Sequence, residues 1–177
     1  ARPPRRSLTA SAEPPQDLFA VLGLRRSFAI DAVALKSAYR DLMARLHPDV
    51  ARRASATNER VEASDVTRAY DTLRRAHPRA CHLLELEGFP IDEAPSEPAD
   101  GALLFSVMEI RESVEEAEDA KALRALFEEN EGRRGGTIAA LEACFAREDF
   151  EEARRRTAEL TYWVRIDENL REKMDEI

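Results

Sequence analysis

The chain has 177 residues, room for one or two small domains, each with a modest core. Apolar residues make up 44%, aromatics only 6% and charged residues 35%, with 6 glycines, a balance that suits helices and disfavours sheets. The net charge of −8 is divided unevenly: residues 1–16 carry +2, residues 17–78 carry +3 from 11 basic and 8 acidic side chains, and residues 79–177 carry −13 from 13 basic and 26 acidic ones. The acidic half repels phosphates and no aromatic-basic stripe offers bases a stacking surface, which excludes nucleic acid as a partner. No apolar run is long enough to span a bilayer, so a soluble chain with no membrane partner is expected.

The first sixteen residues, "ARPPRRSLTASAEPPQ", are rich in Pro and Ser, lack an apolar block and read as a disordered leader. Their Arg, Ser and Thr content also fits the remainder of an organelle transit peptide. A short helix follows in "DLFAVLGL", with Asp17 as N-cap, Leu18, Phe19 and Leu22 apolar, and Gly23 at its end. Asp31 can cap a longer helix whose apolar set, Leu35, Ala38, Tyr39, Leu42, Met43 and Leu46, recurs at helical spacing, while Lys36, Arg40 and Arg45 occupy the other face. A third helix is expected from about Asn58 to Arg75, carrying Val61, Val66, Ala69, Tyr70 and Leu73. The second and third helices, joined by a polar loop, form an antiparallel hairpin. That loop begins with His47-Pro48-Asp49: Pro48 ends the helix and displays both polar side chains at the hairpin tip, where they can enter a partner.

A break at "GFPIDEAPSEPADG", residues 88–101, holds three prolines and two glycines and divides the chain into two helical modules. Beyond it Leu103, Val107, Ile110, Val114 and Ala117 recur at spacings of four and three, a helix–helix seam continued by Ala120, Leu123 and Phe127. After an "EGRRGG" turn, Ile138, Leu141 and Phe145 mark another helix, and Phe150, Ala153, Leu160, Val164, Leu170 and Met174 the last, giving a three-helix bundle. Leu104, Phe105 and Met108 stay outside the seam, beside Glu109 and Glu112. Either a broad core takes them in, or they form an exposed apolar patch rimmed by acids, as interaction sites are. Cys81 and Cys144 lack the CxxC or HxxxH spacing of a metal site and read as reduced core thiols; no metal or cofactor is expected. Nothing places a nucleophile beside a base or forms a phosphate loop, so the chain is not expected to be an enzyme.

The capped short helix, the basic second helix, His47-Pro48-Asp49 and the helix after it resemble the J domain of DnaJ-type co-chaperones. The resemblance implies that this loop and the second helix dock on an ATP-driven heat-shock chaperone of the DnaK class. His47, Pro48 and Asp49 would be needed to stimulate its ATP hydrolysis, and Lys36, Arg40 and Arg45 would support electrostatic docking. No Gly/Phe-rich segment or CxxCxGxG repeat follows. Instead "RACHLLELEGFPID" and then "LLFSVMEIRESVEEAED" are similar to the HscB (Hsc20) family, the J proteins of iron–sulfur cluster biogenesis, from about Asp17 to the C-terminus. Two departures stand out: Thr67 replaces the Asn usual before the Ala-aromatic pair of the third helix, and no CxxC pairs precede the J domain as in some animal members. The resemblance implies that Leu104, Phe105, Met108, Glu109 and Glu112, with Tyr162 from the last helix, hold the scaffold protein on which clusters are assembled.

The expected architecture is all-α: a leader (1–16), a J-domain helical hairpin (17–78), a linker (79–101) and a C-terminal three-helix bundle (102–177). The expected function is delivery of the cluster-assembly scaffold to a dedicated DnaK-type chaperone and stimulation of its ATPase. A J-domain co-chaperone for a different client and a non-catalytic helical adaptor are the alternatives. The leader favours the mitochondrial matrix, with the bacterial cytoplasm as alternative.

Overall fold

The computed structural model describes residues 15–46, 61–91 and 101–176. Two compact units divide between Pro90 and Ile91. The fold is all-α, with no strand among the described residues. The leader up to residue 14, the loop with His47, Pro48 and Asp49, and residues 58–60 of the expected third helix lie outside the described residues.

In the first unit α1 (Leu18–Val21) is a single turn. Asp17 caps it, its side chain accepting from the backbone N–H of Phe19 at 3.0 Å and of Ala20 at 3.3 Å. Gly23, at φ +67°, closes the other end: its N–H and that of Leu24 return to the carbonyls of Ala20 and Phe19, a left-handed turn in which a Cβ would be strained. The second helix, α2 (Ala32–Leu46), begins as the sequence indicates, with Asp31 Oδ1 accepting from Val33 N–H at 2.8 Å. It packs on α3 (Ala63–Leu73), and so does α1. Phe19, Leu35, Val66, Ala69 and Leu73 fill the space between the three, and the rings of Tyr39 and Tyr70 stack at 4.4 Å.

The third helix stops two residues short of its expected end because Arg75 turns to an extended backbone and opens a further helix, α4 (Ala76–Glu87). Residues 79–87, expected as linker, are therefore helical, and Ala80, His82, Leu83 and Leu84 are buried. Pro78 does not break α4, because it lies in the first turn, where an N–H has no helical acceptor to lose. Gly88, at φ +84°, ends the helix, and Phe89 N–H returns to the Leu84 carbonyl at 2.8 Å.

The second unit is a bundle of α5 (Gly101–Glu116), α6 (Ala120–Ala146) and α7 (Phe150–Glu176). Links of three residues make sequential helices antiparallel. Val107, Ile110, Val114, Ala117, Leu123, Trp163, Ile166 and Leu170 form its core cluster. The break between the first two helices falls at residues 117–119, where Asp119 caps α6 by accepting from Ala122 N–H at 2.7 Å, and not at the expected "EGRRGG" turn. Gly132, Gly135 and Gly136 lie inside a continuous helix. Each glycine weakens a helix by about 1 kcal/mol relative to alanine, but packing against α7 along the length of α6 outweighs that. Asn130, buried on α6, donates to the Trp163 carbonyl at 3.0 Å, and Thr137 donates to Glu159 Oε1 at 3.0 Å, fixing the register through the glycine-rich stretch.

Two substitutions in this unit are expected to stabilise it for opposite reasons. A Cβ on Gly135 meets no atom within 4 Å, so Gly135→Ala removes backbone freedom from the unfolded chain without a clash. Glu148 sits at φ +56° in the α6–α7 link, so Glu148→Gly relieves a left-handed non-glycine residue. Each should add about 1 kcal/mol, a rise of several degrees in Tm, and the two should be additive in thermal melts.

Candidate functional site

Two sets of residues stand where a partner protein can reach them. The first is the outer side of α2. Lys36, Arg40 and Arg45 are exposed, and none forms an ion pair among the described residues. Lys36 and Arg40, four residues apart, share one flank of the helix. Arg45, nine residues beyond Lys36, falls about half a turn away and flanks the polar face on its other side. The described part of α2 ends at Leu46, immediately before His47.

The frame that holds α2 is fixed from below. Tyr39 stacks on Tyr70 of α3, and α3 is in turn covered by α1. Arg26 bridges the N-cap Asp17 at 2.7 Å and approaches Glu87 of α4 at 4.0 Å. Burial works against the Asp17 carboxylate, but its bonds from Arg26, Ala20 and Phe19 hold its pKa below the ordinary value.

The second set is the outward side of α5. Val107, Ile110 and Val114 turn inward and are each 6% exposed. Leu104, Phe105 and Met108, on the opposite side, are 39%, 63% and 69% exposed. The core therefore does not take them in. Leu104, Met108 and Glu112 follow at intervals of four residues, Phe105 and Glu109 form the neighbouring row, and both glutamates are exposed. The result is an apolar strip along the first half of α5 that passes into acids along the second. Glu116, one turn past Glu112 and also exposed, prolongs it. The sequence reading left that residue out although the spacing of four signals it. Tyr162 of α7 is half-buried and packs, with Leu103, against the core that Val107 and Ile110 line.

The thiols lie apart from both sets. Cys81 is half-buried on α4 with its sulfur 3.8 Å from His77 Nε2, and burial pushes its pKa to about 11. Burial also raises the pKa of Cys144, on α6. Both are free and protonated at neutral pH, the form that neither binds metal nor attacks an electrophile. Among the described residues no group of three or more His, Cys, Asp and Glu is placed to hold a metal ion, and no helix is long and apolar enough to cross a membrane.

Comparison with known proteins accounts for both units. The DnaJ domain model matches residues 17–82, and the model described as the HSCB C-terminal oligomerisation domain matches residues 99–171. A co-chaperone protein HscB homolog of Cupriavidus taiwanensis is 32% identical over 167 residues, covering 91% of this chain and 95% of that protein. The mitochondrial J-type co-chaperone jac1 of Schizosaccharomyces pombe is 32% identical over 145 residues, covering 81% of this chain and 64% of that one. The crystal structure of human co-chaperone protein HscB superposes with a TM-score of 0.80 at 26% identity, covering 94% of this chain and 86% of that one. With a DnaJ domain in its first unit, an HscB C-terminal domain in its second, and an HscB relative matched over nearly its whole length, the chain belongs to the HscB family of J-type co-chaperones of iron–sulfur cluster biogenesis.

Proposed function

We propose that the chain captures the iron–sulfur cluster assembly scaffold on the outward strip of α5 and presents it to a DnaK-type heat-shock chaperone. His47, Pro48 and Asp49 stimulate the chaperone's ATP hydrolysis, so that scaffold capture is coupled to cluster release. The hydrolytic site is the chaperone's, and the co-chaperone contributes binding and timing. The observation that carries this reading is the exposure of Leu104, Phe105 and Met108 on a helix whose other side is buried. Large apolar side chains held in water and bordered by charge are what a protein partner covers. Glu109 and Glu112 form the polar rim and favour a partner with basic groups around an apolar centre. Tyr162, half-buried on α7, adds its remaining exposed surface to the same scaffold contact.

A different client would use the same strip, and titration of the scaffold protein against the full chain separates the two readings: saturable binding supports scaffold delivery, and its absence favours another client. A helical adaptor without chaperone partnership is tested by steady-state ATPase measurements with a DnaK-type chaperone, which it would leave at the basal rate. Relatives of this family occur in mitochondria and in bacteria. The Arg-, Ser- and Thr-containing leader favours the mitochondrial matrix for this chain.

The basic flank of α2 carries its own prediction. If Lys36, Arg40 and Arg45 steer docking onto an acidic chaperone surface, the association rate falls as ionic strength rises, because exposed charges are screened within about 8 Å at 0.15 M salt. Replacing Lys36 and Arg40 with Gln should flatten that salt dependence more than replacing Arg45 alone, since those two share a flank. Stopped-flow association rates between about 50 and 300 mM salt check it, and an unchanged slope in the double variant would remove the pair from the docking surface.

A further inference from the structure

The first unit contains a buried titratable group that docking and capture leave unused. His82 of α4 is 7% exposed, and its Nε2 stands 3.1 Å from the backbone nitrogen of Leu18, the first residue of α1. A backbone N–H only donates, so Nε2 is the unprotonated acceptor and the ring's proton resides on Nδ1. The imidazole stacks on Phe19 of α1, centroids 6.1 Å apart and planes 20° from parallel. Leu18 N–H is one of the donors that a helix start leaves without a helical partner. His82 thus ties down the beginning of α1 across 64 residues of sequence.

We infer that His82 is a pH-sensitive latch that holds α1 against α4 while the imidazole is neutral and releases it when the imidazole is protonated. Protonation converts Nε2 from acceptor to donor, so two N–H groups face each other in a buried space and the hydrogen bond is lost. The surrounding charges are mixed. Glu85, on the same helix, has a carboxylate oxygen 3.9 Å from Nδ1, and Asp17 stands at the α1 N-terminus; both favour the imidazolium. Arg26, from the segment after α1, and Arg68 of α3 oppose it. Burial outweighs the two carboxylates and sets the His82 pKa below the ordinary histidine value of 6.5. The latch is therefore fully closed above pH 6.5, where the imidazole is neutral both folded and unfolded. Its contribution is lost as pH falls from 6.5 to the lowered folded-state value, by up to about tenfold in the latched-to-unlatched ratio per pH unit. The Arg26 bridge from Asp17 toward Glu87 spans the same two helices.

The test is an NMR titration of the full chain from pH 8 to pH 5, following the ring nitrogens of His82 and the exchange of the Leu18 amide, corrected for its intrinsic rate. The expected result is an Nδ1–H tautomer titrating below 6.5, with Leu18 protection falling in step while the Ile166 amide of the second unit keeps its protection. In His82→Gln, whose side-chain oxygen can accept the same bond without titrating, the fall should disappear. A His82 that titrates at or above 6.5, Leu18 protection independent of pH, or an equal fall in His82→Gln would overturn the latch. Should the variant fail to fold, the wild-type titration decides alone.

Discussion

Replacing Leu104, Phe105 and Met108 together with alanine is expected to weaken binding of the assembly scaffold at least tenfold while the melting temperature of the protein moves by no more than a few degrees. The two halves of this expectation have one cause. At 39%, 63% and 69% exposure these side chains leave water only partly, so truncation opens no cavity. Central apolar anchors at protein interfaces contribute about 1 to 2 kcal/mol each, and about 1.4 kcal/mol is a factor of ten in affinity. Ile110→Ala, on the inward side of the same helix and 6% exposed, supplies the contrast: it should cost about 2 to 5 kcal/mol of stability. A triple variant that melts far earlier would return the strip to the core. One with unchanged stability and unchanged binding would move the scaffold site elsewhere.

His47→Gln or Asp49→Asn is expected to return the chaperone's ATPase to its unstimulated rate, with a change in stability of no more than about 0.5 kcal/mol. Gln cannot reproduce the imidazole's ring and its two nitrogens, and Asn exchanges a charged acceptor for a neutral amide. The contacts that hold α2 in place, Leu35 in the core and Tyr39 on Tyr70, lie upstream in the helix and are untouched by either change. Scaffold binding, assigned to α5, should persist in both variants. Normal stimulation by either one would remove the loop from the mechanism.

Local signals foretold most of this architecture. Asp17, Asp31 and Gly23 act within a few residues of where they stand, and the caps and turn they announce are present. The strip on α5 was legible as residues left over from a periodic seam, but its exposure was not, because periodicity gives a face and only packing says how wide the buried face is. The misplaced turn in the second unit has the same origin. Three glycines in "EGRRGG" read locally as a break, whereas the contacts that keep them helical come from Trp163 and Glu159, more than twenty residues away. Residues 79–87, expected as linker, are instead helical and partly buried, because Ala80, Leu83 and Leu84 pack into the first unit. His82 gave no signal at all: its role depends on Leu18, 64 residues earlier.

Coupling between capture and hydrolysis is the centre of the account, and steady-state ATPase rates of a DnaK-type chaperone with the scaffold and the full chain, separately and together, test it most directly. If capture is coupled to hydrolysis, the two added together stimulate more than the sum of their separate effects. The Leu104, Phe105 and Met108 triple-alanine variant should lose that excess while keeping the stimulation the chain gives alone. Purely additive rates, or an excess that survives in the triple variant, would contradict it.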